Sequence, residues 1–174
     1  YHQGLEVGSK AELIAAVAMM RDTEACLICN GYKDEEFVDL GLQAQRLGFN
    51  VFFVLEMPGE LNIVLERSKA IGVRPKIGAR AKLSVKAGGH WTDSGGERST
   101  FGLSVAQIVD VVDTLKAHDM LDCFRLLHYH LGSQISNIRD IRKGVMEGAR
   151  LYCGLVKEGA PMGYLDLGGG LAVD

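Results

Sequence analysis

A regular alternation of short apolar segments with longer amphipathic ones limits what this chain can fold into. Residues 4–7, 26–29, 51–55, 76–80, 124–129 and 164–167 are apolar runs too short for a buried helix, and they read as strands. The early ones start roughly every 21–25 residues, which leaves room for one helix between each pair. Helix signals fill those gaps. Ser9 and Glu12 make the capping pattern S-x-x-E ahead of residues 13–18, predicting a helix to about Arg21. Phe37, Leu40, Ala44 and Leu47 recur at helical spacing and stop at Gly48. Pro58 suits a first helical position before the stripe Leu61, Val64, Leu65 and Ile71, and Gly72 ends it. Ser104 caps a helix containing Ile108, Val111, Val112 and Leu115, and a fifth helix spans about 137–157.

Unbroken β-α alternation means a parallel sheet with helices outside it. Two architectures fit: an open doubly wound sheet, or part of a (β/α)8 barrel. A whole barrel takes ~250 residues. This chain has 174, opens at Tyr1 without Met and stops just after residues 168–170, so we expect a piece of a longer protein. Glycines and polar residues follow almost every strand, which suits loops gathered around one mouth. The expected fold is therefore an incomplete barrel domain over 1–174, with about strands two to seven present. One connection breaks the pattern. Residues 84–100, with Gly88-Gly89-His90-Trp91 and Ser94-Gly95-Gly96-Glu97-Arg98, form a long glycine-rich insertion. Loops of that length in compact domains are usually functional or disordered.

Composition excludes several function classes. The net charge of −3, with Lys and Arg scattered, argues against nucleic acid or an anionic membrane as partner. No apolar run approaches a membrane span, and no signal peptide is expected. Cys26 and Cys29 form a C-x-x-C, but residues three apart on a strand face opposite sides and cannot share a metal or a disulfide. Reduced, buried thiols suit the cytoplasm or an organellar stroma.

Two strand ends carry the candidate chemistry. In Leu126-Leu127-His128-Tyr129-His130-Leu131-Gly132-Ser133, alternation puts His128 and His130 on one face, with His130 at the carboxyl end where α/β sites form. The next strand, Tyr164-Leu165-Asp166-Leu167, runs into Gly168, Gly169 and Gly170. Bare N–H groups in such a turn can hold a phosphate, although glycines also serve tight turns and Ser133 could be only a helix cap. An imidazole, a hydroxyl and a glycine cradle on adjacent strand ends point to a phosphorylated, ring-bearing ligand. The H-x-H pair could instead chelate zinc, but no other histidine stands at a strand end, so His128 reads as a core residue one layer below the rim. Glu6 and Arg80 end the first and fourth strands, as charges that tune a ligand or as solvated rim groups.

The order Glu6-Val7-Gly8-Ser9-Lys10-Ala11-Glu12, His130-Leu131-Gly132-Ser133 and Asp166-Leu167-Gly168-Gly169-Gly170 resembles the barrel domain of the fold type III pyridoxal-phosphate decarboxylases. These include the ornithine, diaminopimelate and arginine decarboxylases, with alanine racemase as a relative. Asn30-Gly31-Tyr32-Lys33-Asp34, residues 94–102 and residues 130–140 resemble its biosynthetic arginine decarboxylase branch. The resemblance implies pyridoxal 5'-phosphate as cofactor, with His130 stacked on its ring, Ser133 bonding its phosphate and Gly168, Gly169 and Gly170 cradling it. It places Glu6 near the cofactor's imine and Arg80 at the barrel mouth. It implies conversion of L-arginine to agmatine and CO2, upstream of putrescine and spermidine, in a dimer or larger homo-oligomer. Magnesium is a further expectation for bacterial members. The family's Schiff-base lysine would precede Tyr1, while its ring-nitrogen acid and C-terminal β-domain would follow Asp174. No catalytic residue is therefore expected here, and the segment alone is expected to be inactive. An ornithine or diaminopimelate decarboxylase, or a non-catalytic barrel that holds the cofactor, remain the alternatives.

Overall fold

The computed structural model describes residues 3–84 and 99–172. Most of the expected 84–100 insertion, Trp91 included, lies outside the described residues. The strands follow one another as β1-β2-β3-β4-β5-β6. A doubly wound sheet would reverse that order at a switch point. The fold class is thus α/β with the consecutive order of a partial (β/α)8 barrel. Two compact units divide the chain, Tyr1–Gly78 and Ala79–Asp174, and the division falls inside β4 (Ile77–Ala81).

In the first unit, β1 (Leu5–Val7), β2 (Cys26–Cys29) and β3 (Asn50–Leu55) pair in parallel, with Leu27 opposite both Leu5 and Val51. Val51 to Leu55 are all buried, the near-continuous apolar run of a strand covered on both faces. Burying each such side chain stabilises by roughly 1.5–3 kcal/mol. α1 (Lys10–Met19) starts as the sequence predicts, with Ser9 Oγ accepting from the Glu12 N–H at 3.3 Å. The Glu12 carboxylate reaches one residue further back than a capping box would, accepting from the Gly8 N–H at 2.6 Å. α2 (Glu35–Arg46) is capped by Asp34, which accepts from the Phe37 N–H at 2.8 Å. Its buried stripe is Phe37, Val38, Gly41, Leu42 and Ala44, rotated from the expected one. Leu47 is the casualty, 72% exposed at the C-cap. Gly41 explains the rotation: a Cβ there would sit 2.6 Å from the Phe53 ring, so the helix packs through its glycine.

α3 (Glu60–Ile71) does not begin at Pro58. Gly59 is its N-cap, and the first-turn carboxylate of Glu60 satisfies the preceding N–H groups. Its end is as read, with Gly72 left-handed at φ 73° and its N–H donating to Ser68 O at 2.8 Å. Arg67 grips Asp39 of α2 through two 2.7 Å bonds.

In the second unit, α4 (Val105–Ala117) carries a full capping box, Ser104 with Gln107. β5 (Phe124–Tyr129) pairs in parallel with β6 (Tyr164–Asp166), and α5 (Ile138–Lys157) connects them. α5 lies close on β5 because two glycines one turn apart face the strand. A Cβ on Gly144 would overlap Leu131, and one on Gly148 would overlap the Tyr129 ring.

Candidate functional site

The register Leu126↔Tyr164, Leu127↔Leu165, His128↔Asp166 brings the segments that follow β5 and β6 to one rim. Those segments clasp each other. The Ile135 N–H donates to Gly170 O at 2.8 Å, and the Ala172 N–H donates to Ile135 O at 3.2 Å. Gly170, at φ 93°, sits where a Cβ would overlap the Gly132 carbonyl oxygen and lie 3.3 Å from Ser133 Cα. Gly168, at φ 64°, sits where a Cβ would lie 2.6 Å from Tyr129 O and 3.4 Å from His130 Cα. Both positions therefore demand glycine twice over, by dihedral angle and by space. His130, Ser133, Gly168, Gly169 and Gly170 come together as one cluster. His130 stands one residue past the end of β5 and is half-buried, and Ser133, three residues further on, is half-buried too.

Among the described residues, no hydrogen bond engages the Ser133 hydroxyl or the N–H groups of Gly169 and Gly170. Unsatisfied donors on a bare glycine turn, beside a hydroxyl, suit a phosphate, and the tight clasp leaves no side chain to fill the cradle. A half-exposed imidazole next to it suits a flat ring. These residues fit a ring-bearing phosphate ligand.

Directly beneath lies a pair the sequence reading did not foresee. His128 is a core histidine, 4% exposed, and its Nδ1 approaches Asp166 Oδ2 to 2.8 Å without meeting hydrogen-bond geometry. The other carboxylate oxygen of Asp166 accepts from the Gly168 N–H at 2.9 Å. Facing the helix layer, Tyr129 is fully buried and its hydroxyl has no hydrogen-bond partner. Burial, then the charge of Asp166, push the Tyr129 pKa up. The signal was available: two polar residues in apolar strands, each two places before a rim residue. As for the zinc reading of the H-x-H, no group of three or more His, Cys, Asp or Glu among the described residues could hold a metal ion.

The other expected residues have their own surroundings. Glu6, exposed on β1, accepts from Asn30 Nδ2 at 3.3 Å. Arg80, half-buried on β4, lies 5.9 Å from the centre of the Phe101 ring, and its carbonyl accepts from the Leu103 N–H at 2.7 Å. In the first unit, Lys33 of the N-G-Y-K-D motif is a missed element. It is wholly buried, with Nζ donating to Gly31 O at 2.7 Å and to Glu60 Oε2 at 3.4 Å. Burial pulls its pKa below the usual lysine value, against the opposing pull of Glu60 and Glu56. Glu56 in turn accepts from the Gly31 N–H at 2.7 Å. The network fixes the loop that carries Asn30, the donor to Glu6.

Known proteins share this arrangement of sequence and fold. Over 171 residues the chain is 54% identical to a biosynthetic arginine decarboxylase of Shewanella loihica and 55% to one of Rhodopirellula baltica, covering 98% of this chain in each case. It spans only 27% and 25% of those relatives' lengths. The crystal structure of a biosynthetic arginine decarboxylase from Campylobacter jejuni matches all of this chain at TM-score 0.88 and 35% identity, over 28% of its own length. A diaminopimelate decarboxylase from Helicobacter pylori shares the fold at TM-score 0.83 with 22% identity, covering 98% of this chain and 42% of its own. Residues 3–174 match the pyridoxal-binding domain of the pyridoxal-dependent decarboxylases, and the chain belongs to that family.

Proposed function

We propose that this chain is the cofactor-binding part of a pyridoxal-phosphate-dependent arginine decarboxylase, which converts L-arginine to agmatine and CO2 and so supplies putrescine and spermidine synthesis. The observation that carries the cofactor assignment is the clasp of residues 130–135 with 168–172, which leaves the Gly169 and Gly170 N–H groups without partners. Sequence identity above 50% to proteins named biosynthetic arginine decarboxylase favours arginine over ornithine or diaminopimelate. The diaminopimelate enzymes share the fold at too low an identity to bear on substrate.

Within that reading, the Gly169 and Gly170 N–H groups and the Ser133 hydroxyl donate to the phosphate, and the His130 ring supports the pyridine face. The bound cofactor supplies an electron sink for the pair left when the substrate α-carbon loses CO2. By the family resemblance, Glu6, held by Asn30, would supply a carboxylate towards the cofactor, and Arg80 would supply positive charge. The lysine that carries the cofactor is assigned to the longer protein. Lys33, the buried candidate, is committed to Gly31 and Glu60. Catalysis then belongs to the longer protein, a homo-oligomer, and the 174-residue segment alone is inactive. Its four cysteines are free thiols, which supports a cytoplasmic or stromal location. The described residues gather no cluster of three or more metal-ligating side chains, so the reading assigns magnesium no residue here.

The test is decarboxylation of carboxyl-labelled arginine by the longer protein that carries this chain, with ornithine and diaminopimelate in parallel. Arginine should be turned over at least an order of magnitude faster than either. Preference for another of the three reassigns the substrate. Binding of pyridoxal phosphate with no turnover of any selects the non-catalytic alternative. The segment alone should release no CO2 above the background of free cofactor, and release above it would place the cofactor lysine within these residues.

A further inference from the structure

The cradle has a support that lies outside the ligand contacts. Asp166 is the last residue of β6, and each of its carboxylate oxygens does a different job. Oδ1 accepts from the Gly168 N–H at 2.9 Å, which closes a two-residue side-chain turn and holds Gly168 at φ 64°. Oδ2 stands 2.8 Å from Nδ1 of His128, the residue paired with it in the β5–β6 register. The histidine is anchored in the core, only 4% exposed, so its ring stands against the carboxylate from below. With one N–H taken by Asp166, Gly168 acts as the hinge of the turn. The next two N–H groups are then presented without partners. Rotation of the Asp166 side chain would release Gly168 and let the turn relax, although the clasp at Ile135 would persist.

We propose that Asp166 and His128 are positioning residues for phosphate: the pair sets the orientation of the Gly169 and Gly170 N–H groups and thereby the affinity for the phosphate-bearing ligand. This rests on the cofactor reading above, and the experiment separates the two. Neither residue touches the ligand in this scheme, so the loss should follow the phosphate and spare the ring.

The experiment measures binding of pyridoxal phosphate and of pyridoxal, which lacks the phosphate, to the cofactor-free full-length protein, by absorbance and fluorescence titration. Asp166→Ala should weaken pyridoxal phosphate binding by about tenfold or more, the scale of losing a hydrogen bond to a charged group. Pyridoxal binding should change by less than about twofold. Asp166→Asn keeps an acceptor for the Gly168 N–H but not the charge facing His128, and should fall between wild type and Asp166→Ala. His128→Gln should likewise weaken pyridoxal phosphate and spare pyridoxal. Equal losses for both ligands, or no loss for either, would overturn the proposal. Failure of the wild type to bind pyridoxal phosphate better than pyridoxal would sink the cofactor reading itself. If Asp166→Ala does not fold, the comparison of Asp166→Asn with His128→Gln decides the matter on the same two ligands.

Discussion

Replacing Glu60 by Gln is the sharpest probe of how the first unit holds its strand-end loop. The glutamate is 1% exposed and serves four donors. Oε1 accepts from the Lys33 N–H at 3.0 Å. Oε2 accepts from the Glu56 N–H at 2.7 Å, from the Met57 N–H at 3.3 Å and from Lys33 Nζ at 3.4 Å. Glutamine has one acceptor oxygen and an amide that only donates, so one set of N–H groups must face another donor. The substitution also leaves the Lys33 ammonium buried with Gly31 O and without its nearest counter-charge. Breaking a buried pair by removing one partner costs about 3–5 kcal/mol. At 1.36 kcal/mol per decade, the amides of Gly31, Lys33, Glu56 and Met57 should exchange roughly two to four orders of magnitude faster in Glu60→Gln, measured by hydrogen exchange on the full-length protein. Lys33→Met with Glu60→Gln removes the stranded charge and should recover part of that protection. A change below about one order of magnitude for Glu60→Gln, or no recovery in the double variant, would refute the claim that the pair secures the loop. The pH dependence has a definite sign. Burial lowers the folded-state pKa of Lys33 from the ordinary lysine value of 10.5, so between the two values the unfolded chain binds more protons. The penalty of burying the charge is present in full below the folded pKa and is relieved as pH rises towards 10.5. Loop protection, corrected for intrinsic exchange, should therefore rise with pH in that window, and Lys33→Met should abolish the rise.

Two further outcomes follow from geometry. Gly168→Ala forces a left-handed alanine against Tyr129 O at 2.6 Å, and should destabilise the second unit by roughly 1–3 kcal/mol and weaken pyridoxal phosphate binding, read by thermal melting and cofactor titration. Cys29 is buried with its pKa pushed up to about 12, whereas Cys153 is exposed, so iodoacetamide near neutral pH should label Cys153 and leave Cys29 intact until the protein unfolds, as peptide mass spectrometry will report.

The readable parts of this protein are those where local chemistry and tertiary packing agree. Ser104 with Gln107, and Gly72 after Ile71, act within a few residues of themselves, and they mark helix ends in sequence and structure alike. Where a distant residue decides, local pattern misleads. Leu47 fits a helical stripe, yet Gly41 admits the Phe53 ring and turns the helix so that Leu47 faces solvent. Pro58 has the dihedral for a helix start, yet the Glu60 carboxylate collects the free N–H groups and the helix begins after it. The candidate site divides the same way. His130, Ser133 and the three glycines were legible because strand-end placement is a local property. The use of Lys33 was not, because its partner Glu60 lies beyond the next strand and only the fold joins them. The pairing of His128, read correctly as a core residue below the rim, with Asp166 was hidden for the same reason. Each stands out as a polar residue in an apolar strand, but only the parallel register sets them facing each other. Residues that would touch a ligand thus stand at strand ends that the sequence marks. Those that aim them sit one layer down, where only pairing between strands reveals them.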